Sequence, residues 1–215
     1  AQGAVSLYGG QVLSWQPKGQ QAVFWLSNDS QYSSGIAIRG GVPLCWPWFG
    51  GEVKLADGSL AKVSNHGFVR QSQWQLTDIN ISSSGVELTL SLCGEKLSPH
   101  WPAAFELTQS LVFNVSFVQT LTMKNLSEKT VEYTGAFHSY FCVDHQWQRE
   151  IEVLSQGCQQ WVLWNPGKGA QTMPDVHAQG EDEFVCLEAA NTQWQAIASQ
   201  ASVSISQTVK LHSKR

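Results

Sequence analysis

No run of lysine or arginine occurs anywhere along these 215 residues, and the formal net charge is -4. A chain so charged offers no field for a nucleic acid or an anionic membrane, so neither is an expected partner. No apolar stretch approaches the ~20 residues that cross a bilayer as a helix. Cysteines are few and scattered: Cys45, Cys93, Cys142, Cys158 and Cys186 never fall in C-x-x-C spacing. That spacing gives zinc no support and points to reduced thiols in the cytoplasm. No three-turn amphipathic helix can be traced, and G-x-S-x-G, P-loop and H-E-x-x-H signatures are missing. Charged residues are only 14% against 42% hydrophobic, which excludes a disordered chain and fits one domain.

Tryptophan, by contrast, is plentiful, with ten in the chain. Some must fill a core, and a surplus favours an aromatic-lined site, carbohydrate binding among the options. The hydrophobic pattern is that of strands. Val5–Tyr8 and Gln11–Trp15 flank a Gly9-Gly10 turn, and Val86, Leu88, Leu90 and Leu92 alternate with polar residues. Phe105, Leu107, Leu111, Phe113, Val115, Phe117, Leu121 and Met123 all fall on odd positions. A period of two marks a half-buried strand. Two antiparallel strands turning near Val118-Gln119-Thr120 would explain the longer run. Val203, Ile205, Val209 and Leu211 repeat the pattern. Short strands parted by Gly, Ser and Asn turns predict an all-β sandwich, one domain over residues 1–215.

Four clusters could carry chemistry. Arg39 to Gly50 holds a Gly40-Gly41 pair, two prolines, Trp46, Trp48 and Phe49. It reads as a rigid loop walled by those aromatics, with a guanidinium at its mouth, suited to a sugar or a phosphate. Asn65 to Arg70 reads either as a turn presenting His66 and Arg70 together or as a surface turn with a satisfied histidine. His138 lies among Phe137, Tyr140 and Phe141, as a core histidine bonded to backbone or an imidazole tuned for proton transfer. Glu188 interrupts an apolar run, as a buried acid with a raised pKa or a strand-end glutamate reaching water. An imidazole and a carboxylate over one cleft would form a general acid/base pair. A two-carboxylate glycosidase pattern is hard to assemble, since only Glu188 has a persuasive setting.

Taken in order, Arg39–Gly50, Asn65–Arg70, Phe137–Phe141, Trp164–Pro166 and Cys186–Asn191 resemble the hexose-6-phosphate mutarotases. These form the glucose-6-phosphate 1-epimerase branch of the aldose 1-epimerase superfamily, and the likeness runs from Leu7–Trp15 to the last strands. The resemblance implies a galactose-mutarotase-like β-sandwich with the sugar on the concave face of its large sheet. It implies interconversion of the α and β anomers of glucose 6-phosphate and related hexose 6-phosphates, without a metal or organic cofactor. By motif, His138 would protonate the ring oxygen and Glu188 would take the anomeric hydroxyl proton. Arg39 and Arg70 would hold substrate, phosphate included, and Asn65 and His66 would line the cleft. The alternatives are an aldose 1-epimerase for unphosphorylated sugars, which Arg39 argues against, and a silent sugar-binding sandwich, which His138 and Glu188 argue against. A monomer is expected by analogy.

Two departures from the family pattern stand out. Asn65 occupies a position where the family often has the longer Gln. Between Asp144 and Trp147 the family carries several tens of further residues, including strands and a sugar-contacting aspartate, for which Asp144 is not a replacement. Loss of central strands would expose sheet edges. The expectation is therefore a backbone break near 144–147, with a Cα–Cα step well beyond ~3.8 Å.

Overall fold

The computed structural model describes residues 1–55, 57–143 and 149–213. The break expected near 144–147 lies outside them. Among the described residues, strands dominate and the helical content is three short 3₁₀ turns. β1 (Gln2–Ser6) and β2 (Gln11–Gln16) form the hairpin expected around Gly9-Gly10. β3 (Leu44–Cys45) lies in the Arg39–Gly50 loop, and β4 (Glu52–Lys54) and β5 (Leu60–Lys62) make a small hairpin. β6 (Gln75–Ser82), β7 (Gly85–Gly94), β8 (Phe105–Phe113) and β9 (Phe117–Asn125) follow as an antiparallel meander. The remainder are β10 (Val131–Phe137), β11 (Tyr140–Cys142), β12 (Arg149–Gln156), β13 (Gln160–Trp164), β14 (Phe184–Ile197) and β15 (Ser202–Ser213).

Two main sheets result. One is six-stranded in the order β12-β15-β9-β8-β7-β6; in the other, of five strands, β14 pairs with β10 and β11 along one side and β13 along the other, and β3 extends the β10 edge. The odd-position stripe on β8 and β9 faces inward, with Phe105, Leu107, Leu111, Phe117, Leu121 and Met123 all under 3% exposed. Each such side chain contributes about 1.5–3 kcal/mol of burial. The connection between β8 and β9 falls at 114–116, not near Thr120 as expected. Val115 is consequently 80% exposed, and Val118 to Thr120 are mid-strand. An odd count of three turn residues preserves the odd-inward pattern across the connection, which is why the periodicity did not reveal it.

Three inward positions within the strands, besides Asn125 at the end of β9, are not apolar. Gln109, Gln119 and Gln207 on β8, β9 and β15 are fully buried, and their carboxamides join head to tail. Gln207 donates to Gln119 (2.8 Å), Gln119 donates to Gln109 (2.6 Å), and Gln109 donates to the Gly10 carbonyl (2.7 Å). The Ser139 hydroxyl donates to Gln207 Oε1 at 2.9 Å, which ties this row to the five-stranded sheet directly beside His138. Buried amides are tolerated because their partners are met.

Candidate active site

β10 and β11 are one strand interrupted at His138 and Ser139. The register on either side, Phe137 opposite Ala189 and Tyr140 opposite Cys186, places His138 directly across from Glu188 on β14. Side chains of such opposed residues leave the sheet about 5 Å apart on the same face. Accordingly His138 Nε2 lies 3.4 Å from Glu188 Oε1, with the residues 7% and 1% exposed. Phe137, Ala189 and Phe141 point the other way, into the core shared with the six-stranded sheet. The His138 backbone N–H donates to the Pro43 carbonyl, and its ring stacks on Tyr140 with Trp164 edge-on.

Burial dominates the electrostatics. It pushes the Glu188 carboxyl up to about 8. It also holds the His138 imidazole well below its usual range, helped by His66, Arg70 and Arg39. Desolvation disfavours the charged form of each, so near neutral pH the pair shares one proton between a carboxyl and a neutral imidazole.

The Asn65–Arg70 turn closes one side. His66 and Gly67 both have positive φ (69° and 71°), and a Cβ on Gly67 would run into the Trp46 carbonyl, so only glycine fits. His66 Nδ1 accepts from the Gly50 N–H at 3.2 Å, which leaves Nε2 to carry the ring proton. Its ring meets His138 at 5.5 Å, and burial followed by Arg70 and Arg39 lowers it to about 4, so it is a neutral donor. Arg70 Nη2 donates to the Asn65 carbonyl at 2.8 Å. The exposed Asn65 thus contributes backbone to the site, while its side-chain oxygen lies against Gly51.

Arg39 is held differently. Its Nε and Nη2 reach Asp175 Oδ2 at 3.0 and 2.9 Å, and Nη1 donates to the Tyr140 hydroxyl at 2.9 Å. Asp175, from the segment between β13 and β14, had no signal in the sequence beyond a Pro-Asp turn. The sugar platform expected from Trp46 and Trp48 is corrected. Both are core residues, 1% and 3% exposed, with Trp46 packed on Phe68, Trp101 and Phe105. Phe49 lies against His66, and the tryptophan that reaches His138 is Trp164. The Trp46 backbone bridges to Gly67 while its indole packs into the core.

Buried side-chain atoms with no partner are diagnostic, since each costs about 1–3 kcal/mol. Among the described residues they are Gln11 Oε1, Trp46 Nε1, Arg70 Nε, His138 Nδ1 and Glu188 Oε2. Three belong to this one site, as expected where a ligand completes the hydrogen bonding. Cys186 also faces it: one ligand atom each from His138, Cys186 and Glu188 lie within 4.8 Å of one another.

Residues 2–148 match the aldose 1-epimerase family. A curated relative from Escherichia coli (strain K12), provisionally named glucose-6-phosphate 1-epimerase, is 37% identical over 139 residues, 64% of this chain. The match covers 44% of that relative, so the chain spans less than half the length of the curated proteins it resembles. A solved structure described provisionally as a mutarotase, from Salmonella typhimurium, superposes with a TM-score of 0.87 at 26% identity, covering 99% of this chain and 87% of that one. The galactose 1-epimerase of Lactobacillus acidophilus NCFM shares the fold, at a TM-score of 0.71 and 9% identity over 99% of this chain and 91% of that one. With residues 2–148, most of this chain, matching the family and this sandwich shared with mutarotase structures, the chain belongs to the aldose 1-epimerase family.

Proposed function

We propose that the chain interconverts the α and β anomers of hexose 6-phosphates, glucose 6-phosphate first among them, by general acid/base ring opening and closure. The observation that carries the reading is the buried His138–Glu188 pair, 3.4 Å apart. The ring oxygen and the anomeric hydroxyl sit on one carbon, so two groups this close can face one each. One gives a proton to the ring oxygen while the other removes the hydroxyl proton. The C1–O5 bond breaks to give the aldehyde, rotation about C1–C2 exposes its other face, and closure returns both protons. A pair poised to hold its proton on either member serves both directions. His66 Nε2–H is placed to donate to a sugar oxygen.

Phosphate binding rests on Arg70, whose buried Nε has no protein partner. Arg39 is committed to Asp175 and Tyr140, which favours a role at sugar hydroxyls over one at the phosphate. That commitment is also the observation in favour of the second reading, an aldose 1-epimerase acting on unphosphorylated hexoses. Anomer exchange measured by NMR on glucose and on glucose 6-phosphate decides between them. The hexose-phosphate reading requires at least a tenfold preference for the phosphorylated sugar, reduced by Arg70→Met. Equal turnover of both sugars selects the second reading, and no enhancement over buffer with either rejects both.

A further inference from the structure

We propose that His138, Cys186 and Glu188 form a binding site for a zinc ion, which shuts the acid/base pair by taking the place of the sugar. The spacing of cysteines along the sequence gave no hint of it, because the ligands come from two strands and meet only through sheet register. Cys186 and Glu188 are two apart on β14 and so share a face, and His138 stands opposite Glu188. The three ligand atoms lie within 4.8 Å of one another. Two nitrogen or oxygen ligands about 2.0–2.1 Å from a tetrahedral zinc are about 3.3–3.4 Å apart. His138 Nε2 and Glu188 Oε1 already stand at 3.4 Å. The sulfur, within 4.8 Å of both, must come to about 3.5–3.6 Å from each and exchange its hydrogen bond with Tyr140 for the metal.

The chemistry selects the ion. Thiolate, imidazole and carboxylate together suit zinc, whereas magnesium and calcium demand all-oxygen shells. On binding, the Cys186 thiol and the Glu188 carboxyl each lose their proton to solvent. Two negative ligands and a neutral imidazole then balance the dication, so a buried site ends with no net charge. Three protein ligands leave a fourth position for water. Cys186 takes no part in the sugar chemistry, so the site stands or falls independently of the activity proposed above.

Binding is measured on the whole chain by calorimetry with zinc alone and by absorption with cobalt(II). The expected result is one ion per chain, a thiolate-to-cobalt charge-transfer band and the strong visible bands of a tetrahedral centre. Cys186→Ser should abolish the charge-transfer band and weaken zinc at least tenfold. Cys93→Ser, at the exposed thiol, should change neither. Glu188→Gln, which keeps size and shape, should weaken zinc while leaving the sulfur band, and so reports even if the cysteine variant folds poorly. Magnesium at the same concentrations should produce no heat. Stoichiometric zinc should also suppress sugar turnover in wild type and spare Cys186→Ser. Zinc binding undiminished in both Cys186→Ser and Glu188→Gln, a cobalt spectrum without sulfur character, or no binding at micromolar zinc would each overturn the site.

Discussion

Replacing Glu188 by glutamine should remove turnover and, above pH 6.5, make the protein more stable. Burial raises the carboxyl from the ~4.3 of a solvated glutamate to about 8 in the folded chain. Between those values the folded state holds a proton that the unfolded state has released. Stability therefore falls as pH rises through the interval, by up to ~1.4 kcal/mol per pH unit. The whole span corresponds to on the order of 5 kcal/mol, an upper bound for a side chain that is 1% exposed. His138 works oppositely: its folded value is lowered, so stability is lost as pH falls below ~6.5, where the unfolded imidazole takes up a proton. Toward pH 8 the slope belongs to Glu188, since in the unfolded chain His138 and the likewise lowered His66, half-protonated at ~6.5, have by then released their protons, and unfolded thiols are only beginning to ionise. Urea unfolding at pH 6.5, 7.2 and 8.0 should show wild type losing about 1–2 kcal/mol relative to Glu188→Gln, whose own stability rises slightly as the unfolded imidazoles discharge. Parallel profiles for the two proteins would refute the claim that this carboxyl is held protonated by burial.

His138→Asn and Glu188→Gln should each lower kcat for anomer exchange by about 10²–10⁴-fold, read by saturation-transfer NMR. Gln119→Leu orphans a donor on Gln207 and an acceptor on Gln109. It should lower stability by about 2–4 kcal/mol, measured by thermal unfolding. Trp46→Leu should cost about 2–4 kcal/mol of core packing with KM unchanged within twofold; a large rise in KM with intact stability would restore the indole to the sugar site. Asp175→Ala frees the Arg39 guanidinium, and should shift preference toward phosphorylated over plain hexose in competition assays.

The strand architecture was legible in the sequence because a half-buried strand writes its face into every second residue, as Phe105 to Met123 do. The turn at 114–116 was not, since an odd-numbered connection carries the same parity across. Glu188 and His138 were readable as oddities of composition, a charge and an imidazole inside apolar text. That they oppose each other depends on register between strands some fifty positions apart, which no local pattern encodes. The tryptophans misled for the opposite reason: residue type does not say which side of a loop an indole leaves from. Asp175 was invisible because its meaning lies wholly in the arginine it meets. The apolar stripes skipped positions 109, 119 and 207, and each skip was a glutamine. Read singly these are blemishes, but they become one object only when three strands are laid side by side.

That object has a sense of direction. A carboxamide gives at one end and takes at the other, and the carbonyl of Gly10 can only take, so every member of the file is compelled to point the same way. The orientation travels from the first hairpin across the interior to the hydroxyl of Ser139, which must spend its hydrogen on Gln207 and turn its lone pairs elsewhere. A turn at the beginning of the chain therefore dictates how a group beside His138 is aimed. Exchanging one nitrogen for oxygen at Gln109 would place two acceptors face to face and reverse or rupture the file, though the side chain would keep its shape.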